Sequence, residues 1–301
     1  MALHHDEIPI DADLAASVIR LERPEWAEFP LVRAGGGTDN VMFRLGDELL
    51  VRMPRTPGRV GSLRKEREWM PRLAPRLPVR IPEPVHAGAP SDRYPLEWSV
   101  YRWIEGAPPA SDTVDDWARF GADLAEFVRD LHGTELMGAV RSGELSWYRG
   151  GSLREPVSWV EPAFAASRAL VGDVLDVDRL ERWWRDALVL PDSPAPHVWL
   201  HGDLRPGNLL ARDGRLCAVI DFGALSVGAP DAEHAALWDL PSAARRGYWD
   251  AIDLDESTWL RARGWAIAVA VSGIPYYRET FPEFVAECVA RLEAILADGE
   301  H

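Results

Sequence analysis

The apolar positions of this chain alternate between two periods. From Asp11 to Leu21 they recur at helical spacing behind an acidic start, which predicts an amphipathic helix on the outside of the fold. Val41–Leu45 and Glu48–Met53 flank Gly46-Asp47 and predict a hairpin. Helical spacing returns in Leu63–Leu77, where Glu66, Trp69, Met70 and Leu73 share a face and Pro71 is expected to kink or end the helix early. Val79–Val85 is extended and punctuated by proline, and Trp98–Trp103 reads as a strand. Thr113–His132 carries one stripe, Trp117, Phe120, Leu124, Phe127 and Leu131, and closes on His132-Gly133. Met137–Pro156 is loop-rich, with Arg149–Leu153 reading RGGSL among Trp147, Tyr148 and Trp159. Val177–Leu188 is a further helix. Ser257–Tyr277 is apolar almost all round its middle, hence buried, and Pro282–Asp298 is a last amphipathic helix.

One stretch carries chemistry. Val198 to Gly223 reads VWLHGDLRPGNLLARDGRLCAVIDFG. The apolar runs Leu209–Ala211 and Leu216–Ile220 flank Asp213-Gly214, a strong hairpin signal. Asp203 and Asn208 precede the hairpin and Asp221 follows it, so the three are expected at one mouth. Phosphoryl transfer needs that set. Asp221 offers hard carboxylate oxygens and Asn208 a neutral carbonyl oxygen, the donors Mg²⁺ accepts beside water and phosphate. Asp203 is the candidate catalytic residue, placed to accept or orient the proton of an attacking hydroxyl.

The spacing H-x-D-L-x-x-x-N followed by D-F-G is that of a kinase catalytic loop and metal loop. The segment resembles the aminoglycoside phosphotransferase family, the small-molecule branch of the protein-kinase-like fold. Gly202 stands where protein kinases carry Arg, which favours that branch. The resemblance implies an α/β (α+β) fold in two lobes. A small antiparallel-sheet lobe, 1–103, would bind nucleotide. A larger, mostly helical lobe, 104–301, would carry the catalytic loop and the acceptor site. It further implies that the hinge, Arg102–Gly106 with Trp103, reads the adenine edge through its backbone. The proline-rich Ala107-Pro108-Pro109 supports a boundary there.

The same resemblance gives roles to residues upstream. Gly35 to Asn40, GGGTDN, is a tight turn that can present N–H groups to phosphates, so Gly36, Gly37, Thr38, Asp39 and Asn40 are candidate nucleotide contacts. Arg52 stands where the kinase fold has the phosphate-binding Lys, with Arg55 in reserve. An Arg can clamp phosphate oxygens in a fork. Glu66 falls on the apolar face of its helix, where a carboxylate needs a partner. It is the expected partner of Arg52, while Glu68 points elsewhere. Downstream, the chain shows Gly228-Ala229-Pro230 and then Glu233 where the family has an Asp that braces the catalytic loop. Arg205 either stabilises charge on the transferring phosphoryl group or is a solvated loop residue. Asp250, Asp253, Asp255 and Glu256 either line an acceptor pocket for a polycation or cap a helix.

Composition narrows the classes. The chain has 301 residues, 47% of them hydrophobic, enough for one large domain or two lobes. A formal net charge of −15 argues against nucleic-acid binding, and suits either a cationic acceptor or simple solubility. Two cysteines make no disulfide framework, and Cys217, inside an apolar strand, is expected to be a buried thiol. No run is apolar for long enough to span a membrane, and MALHHDEIPID has neither the basic start nor the apolar core of a signal peptide, so the cytoplasm is expected.

The expected function is transfer of the γ-phosphoryl group of ATP or GTP, with Mg²⁺, to a hydroxyl of a small antibiotic-like molecule such as an aminoglycoside. The enzyme would be a monomer or homodimer. Alternatives are a kinase of a macrolide or metabolite alcohol, or a nucleotide-binding module without catalysis, which the Arg52 and Glu233 departures motivate. A protein kinase is disfavoured by Gly202 and by the lack of an A-P-E segment.

Overall fold

The computed structural model describes residues 7–36 and 39–299. By its internal contacts the chain forms two compact units, one running up to Gly106 and taking in Ala218–Gly223, the other comprising Ala107–Cys217 and the chain from Ala224 onward.

The first unit opens with α1, Ala12–Glu22, whose N-cap Asp11 accepts the Leu14 N–H at 2.8 Å. Then come β1 (Leu31–Gly36), β2 (Asn40–Leu45) and β3 (Leu49–Pro54), helix α2 (Val60–Leu73), and strands β4 (Pro84–Gly88) and β5 (Trp98–Arg102). All five strands form one antiparallel sheet in the order β1-β2-β3-β5-β4. Phe43, Val51 and Val100 fall in register across its centre and are buried, as the β-branched and aromatic choices of these strands require. β1 extends through Gly36, which pairs with Val41.

Pro71 does not end α2, which runs on to Leu73. Met70 and Leu73 are fully buried, and their packing carries the last turn past a residue that lacks the N–H for it. The same face buries Glu66 and leaves Glu68 exposed.

The second unit is mostly helical. It contains α3 (Trp117–Gly133), α4 (Val157–Val171) and α5 (Val177–Val189), then β6 (Val198–Leu200), β7 (Leu209–Arg212) and the start of β8 (Arg215–Val219), then β9 (Ser226–Gly228) and α6 (Ser242–Ile252), α7 (Glu256–Tyr277) and α8 (Pro282–Asp298). The expected α+β composition is present: a five-stranded antiparallel sheet followed by helices. Asp116 and Asp176 cap α3 and α5 through their carboxylates. α7 is buried nearly all round between Arg261 and Ile274 and forms the spine of an extensive apolar cluster, with Trp184 and Trp265. α3 and α6 meet backbone to backbone: a Cβ on Gly121 would lie 1.9 Å from the Ala244 carbonyl oxygen, and one on Gly247 1.9 Å from that of Ala118.

β7 and β8 form the expected hairpin, with positive φ at both Asp213 (54°) and Gly214 (75°), as a two-residue hairpin turn of the primed kind demands. Cys217 on β8 is only half-buried, against expectation, because this two-stranded ribbon has too few strands to cover both its faces; Cys288 on α8 is the fully buried thiol. Asp255 accepts both the N–H of Thr258 at 3.0 Å and its hydroxyl at 2.6 Å, so the acidic cluster before α7 contains the helix cap.

Candidate active site

The candidate residues fall into two groups, one in each unit. In the first, β3 presents Arg52, which is buried along with its partner. Arg52 Nη1 donates to both oxygens of Glu66, at 3.0 and 2.8 Å, and Nη2 donates to Asp221 Oδ1 at 3.3 Å. Tyr101 on β5 donates its hydroxyl to Glu66 Oε2 at 2.6 Å. The expected Arg52–Glu66 pair is therefore formed, and Tyr101 is a third member that sequence reasoning did not name. Burial pushes the Glu66 carboxyl up, against the pull of Arg52, while the ion pair drives the Arg52 guanidinium further up than burial lowers it. The pair stays ionic because a guanidinium cannot give up its proton in the accessible range. Arg52 Nε is buried without an acceptor.

Asp221 sits at φ 63°, a left-handed conformation that Asp tolerates better than most residues, with its side chain 53% exposed. Arg55, the reserve cation, pairs with Glu7. Trp103 donates its backbone N–H to the Glu48 carbonyl at 2.7 Å, with the Arg44 guanidinium 4.5 Å from its ring centroid. Of the glycine turn, Gly36 ends β1, and the Asp39 carbonyl accepts the Arg55 N–H at 2.9 Å. Asn40 is buried with its Oδ1 unpartnered. Gly37 and Thr38 lie outside the described residues.

The second group is built on the catalytic loop that leaves β6. His201 is fully buried, and Gly202 turns the chain at φ 79°. Only glycine suits that turn, since a Cβ there would also lie 2.7 Å from the Ala224 carbonyl oxygen. The turn brings out Asp203, whose side chain is 39% exposed. A short 3-10 turn, Pro206–Asn208, folds back so that Asn208 Nδ2 donates to the Asp203 carbonyl at 2.8 Å and to Asp203 Oδ2 at 3.2 Å. The Asn208 amide nitrogen is thereby committed, which leaves its carbonyl oxygen for a cation.

Glu233 braces the loop from beneath. Its Oε1 accepts the His201 N–H at 2.7 Å and its Oε2 the Gly202 N–H at 2.9 Å. The extra methylene relative to Asp still allows one carboxylate oxygen per backbone donor. Glu233 lies on the 3-10 run Pro230–Asp239, which is tied down at both ends: Asp231 pairs with Arg261 of α7 at 2.8 Å and Asp239 with Arg291 of α8 at 2.6 Å. Burial pushes the Glu233 carboxyl up to about 7, with the Gly202 and His201 N–H groups and Arg149 pulling the other way.

Arg149 is the residue the sequence did not single out. Its Nη1 donates to Asp203 Oδ1 at 3.0 Å and to the Gly202 carbonyl at 2.7 Å. Burial raises the Asp203 carboxyl, but Arg149, joined by His201 and Arg205, outweighs it and holds Asp203 below the usual carboxylate range. Arg205 itself leans toward α8, 3.7 Å from Glu287.

A small hollow beside Asp203 is lined by Arg149, Arg205, Glu233, Asp239 and Arg291. A larger cavity of about 220 Å³ in the same unit is lined by Ser152, Arg154, Asp192, Arg261 and Trp265, and holds none of the candidate catalytic groups. Among the described residues there is no cluster of three or more His, Cys, Asp or Glu able to hold a metal. Mg²⁺ bound with a nucleotide needs no such cage, since phosphates and water complete its shell. Asn208, with only its carbonyl oxygen uncommitted, and Asp221, half-exposed with one long bond from Arg52, fit a hard cation of that kind. No described helix is long and apolar enough to cross a membrane.

Comparison with known proteins follows the same lines. No curated protein sequence matches the chain. Among solved structures, APH(2'')-IIIa in its GDP and kanamycin complex is 22% identical over 95% of this chain and 99% of that one, with a TM-score of 0.74. The GDP complex of wild-type aminoglycoside 2'-phosphotransferase-IIIa is 21% identical over 97% and 100%, with a TM-score of 0.75. The apoenzyme of macrolide 2'-phosphotransferase MphH from Brachybacterium faecium is 21% identical over 97% and 100%, with a TM-score of 0.63. The model of the Phosphotransferase enzyme family matches residues 30–265, most of the chain, and the chain belongs to that family.

Proposed function

We propose that this chain transfers the γ-phosphoryl group of ATP or GTP to a hydroxyl of a small antibiotic-like acceptor such as an aminoglycoside. The observation that carries the reading is Asp203, a half-exposed carboxylate held ionised by Arg149 and tied to Asn208 through both its backbone and its side chain.

In the reaction the acceptor oxygen forms a bond to the γ-phosphorus as the bond to the β,γ-bridging oxygen breaks and the nucleoside diphosphate leaves. The acceptor proton passes to Asp203. A carboxylate kept below its ordinary range is a weak base, so Asp203 mainly orients the hydroxyl and takes its proton late, which a loose transition state permits. Arg52, steadied by Glu66 and Tyr101, is the phosphate clamp. Gly36–Asn40 cover the phosphates, and the backbone at Trp103 meets the base. Asn208, through its carbonyl oxygen, and Asp221, through its carboxylate, would hold Mg²⁺. Bound Mg²⁺ would neutralise phosphate charge and align the leaving group.

Relatives solved with GDP and kanamycin, with gentamicin, and with streptomycin and ATP support a nucleotide donor and an aminoglycoside acceptor. A second reading, a macrolide or metabolite alcohol as acceptor, is favoured by the charge balance around Asp203. Asp239 is paired with Arg291 and Glu287 lies against Arg205, so fewer free carboxylates remain for a polycation.

The test is ADP and GDP release with Mg²⁺ across aminoglycosides, macrolides and metabolic alcohols, with Asp203→Asn alongside. Acceptor-dependent turnover lost in the variant supports the transferase and names the acceptor. Nucleotide binding without turnover on any acceptor supports the non-catalytic module instead.

A further inference from the structure

We propose that Arg149 is the positioning residue of the catalytic loop: it fixes the rotamer of Asp203 by clamping the Asp203 carboxylate to the backbone of Gly202. The inference rests on the reading of Asp203 as the group that orients the acceptor.

The clamp has three points. Arg149 Nη1 is shared between Asp203 Oδ1 at 3.0 Å and the Gly202 carbonyl at 2.7 Å, so the carboxylate is held against the peptide immediately before it. Arg149 Nε donates to the Tyr148 hydroxyl at 3.0 Å, which sets the plane of the guanidinium. Asp203 Oδ2 is held separately, by Asn208 at 3.2 Å. Gly202, at φ 79°, gives the loop no side chain of its own to restrain Asp203. Without Arg149, one 3.2 Å bond would remain to orient the carboxylate.

The mount of the clamp is rigid. Arg149 lies in the 3-10 turn Tyr148–Gly150, and Gly150 accepts the Ala229 N–H at 2.9 Å. A Cβ on Gly228 would stand 2.2 Å from the Gly150 oxygen, and one on Gly150 would stand 3.1 Å from the Gly228 Cα. The two backbones touch, and the arm cannot be displaced without moving β9. Tyr148 packs edge-on to Trp159 and against Trp265, with centroids 5.9 and 6.0 Å away. Only a planar fork makes the three bonds together. Lysine at this position can reach one or two of the acceptors, but not with their angles fixed.

The decisive experiment is a crystal structure of Arg149→Met, with kinetics. Asp203 is expected to leave its rotamer or spread over several, while the Kd of Mg·ATP and Mg·GTP is unchanged. Turnover, followed as ADP or GDP release with kanamycin, a macrolide or water as acceptor, is expected to fall in kcat by about 10²-fold, the scale of a misplacement near 1 Å. Arg149→Lys should recover part of that loss. Tyr148→Phe should cost several-fold alone and nothing further in the Arg149→Met background, since both act through one guanidinium. Where Arg149→Met does not fold, the same cycle is run in Arg149→Lys. Asp203 keeping its rotamer in Arg149→Met, or Tyr148→Phe acting additively, overturns the inference. Unchanged turnover in Asp203→Asn would instead overturn the reading of the site, and the rotamer would still decide the role of Arg149.

Discussion

Glu233 places one carboxylate oxygen 2.7 Å from the backbone nitrogen of His201 and the other 2.9 Å from that of Gly202, so a buried anion holds the turn that presents Asp203. The arrangement sets stability against function. The folded carboxyl titrates near 7, above its ordinary 4.5. A raised acid pKa means the folded state binds the extra proton, so this contribution to stability is full below about 4.5 and is lost as pH rises through about 7. The brace works the other way, because only the anion offers an acceptor oxygen to each N–H. Arg149 and Asp203 also face the group, with opposite effects. Stability should therefore decline, and activity rise, between pH 5 and 7, by about 3 kcal/mol at most in the former. Urea melts of the parent and Glu233→Gln across that range check it. The variant should lose this part of the pH slope, and a slope left unchanged would place the titration elsewhere.

Glu66 is the partner without which Arg52 has no business being buried. Glu66→Ala leaves a dehydrated guanidinium facing Asp221 alone, and should cost about 3–5 kcal/mol. Tyr101→Phe removes only the hydroxyl bond to Glu66, and should cost about 1–3 kcal/mol, as for a hydrogen bond to a charged group. Denaturant midpoints measure both. Equal costs would mean that the pair, rather than the burial of one unpaired charge, dominates.

What the sequence made legible here is local. The hairpin at Asp213-Gly214, the caps Asp11 and Asp255, and the face of α2 that buries Glu66 each follow from turn chemistry or period within a few residues. Pro71 reads as a break on propensity alone, and the burial of Met70 and Leu73 overrides it. Helices α4 and α6 carry no motif in the sequence, although α6 supplies the face on which α3 packs. Arg149 could not be read at all. Its bond to Asp203 spans 54 positions, and nothing in WYRGG distinguishes a clamp from a solvated loop Arg. Tyr101 was hidden for the same reason, 35 positions from Glu66.

Gly121 and Gly247 let α3 and α6 touch through their backbones, each filling the space where the other's neighbour would admit a Cβ. Either glycine replaced by Ala pushes a methyl to 1.9 Å from a carbonyl oxygen, which no rotamer relieves. Each substitution should destabilise by about 1–3 kcal/mol or more, the cost of overpacking, even though Ala is the better helix former. The two together should cost less than their sum, since the first already separates the helices. Thermal melts of the singles and the double decide this, and strict additivity would contradict a shared contact.

Asn208 and Asp221 should differ in what their loss does to the metal. Asp221 brings charge, and its Asn variant should need at least about tenfold more Mg²⁺ for half-maximal nucleotide binding, in keeping with the strength of a carboxylate ligand to a hard cation. Asn208 brings a neutral oxygen, but its amide nitrogen also ties the Asp203 backbone and carboxylate. Asn208→Ala should therefore lose kcat beyond any loss in Mg²⁺ affinity, and saturating Mg²⁺ should restore nucleotide binding without restoring turnover. Calorimetry of nucleotide binding against Mg²⁺, beside initial rates at saturating metal, separates the two. Full recovery of Asn208→Ala by Mg²⁺ would reduce that residue to a ligand and leave the orientation of Asp203 to Arg149.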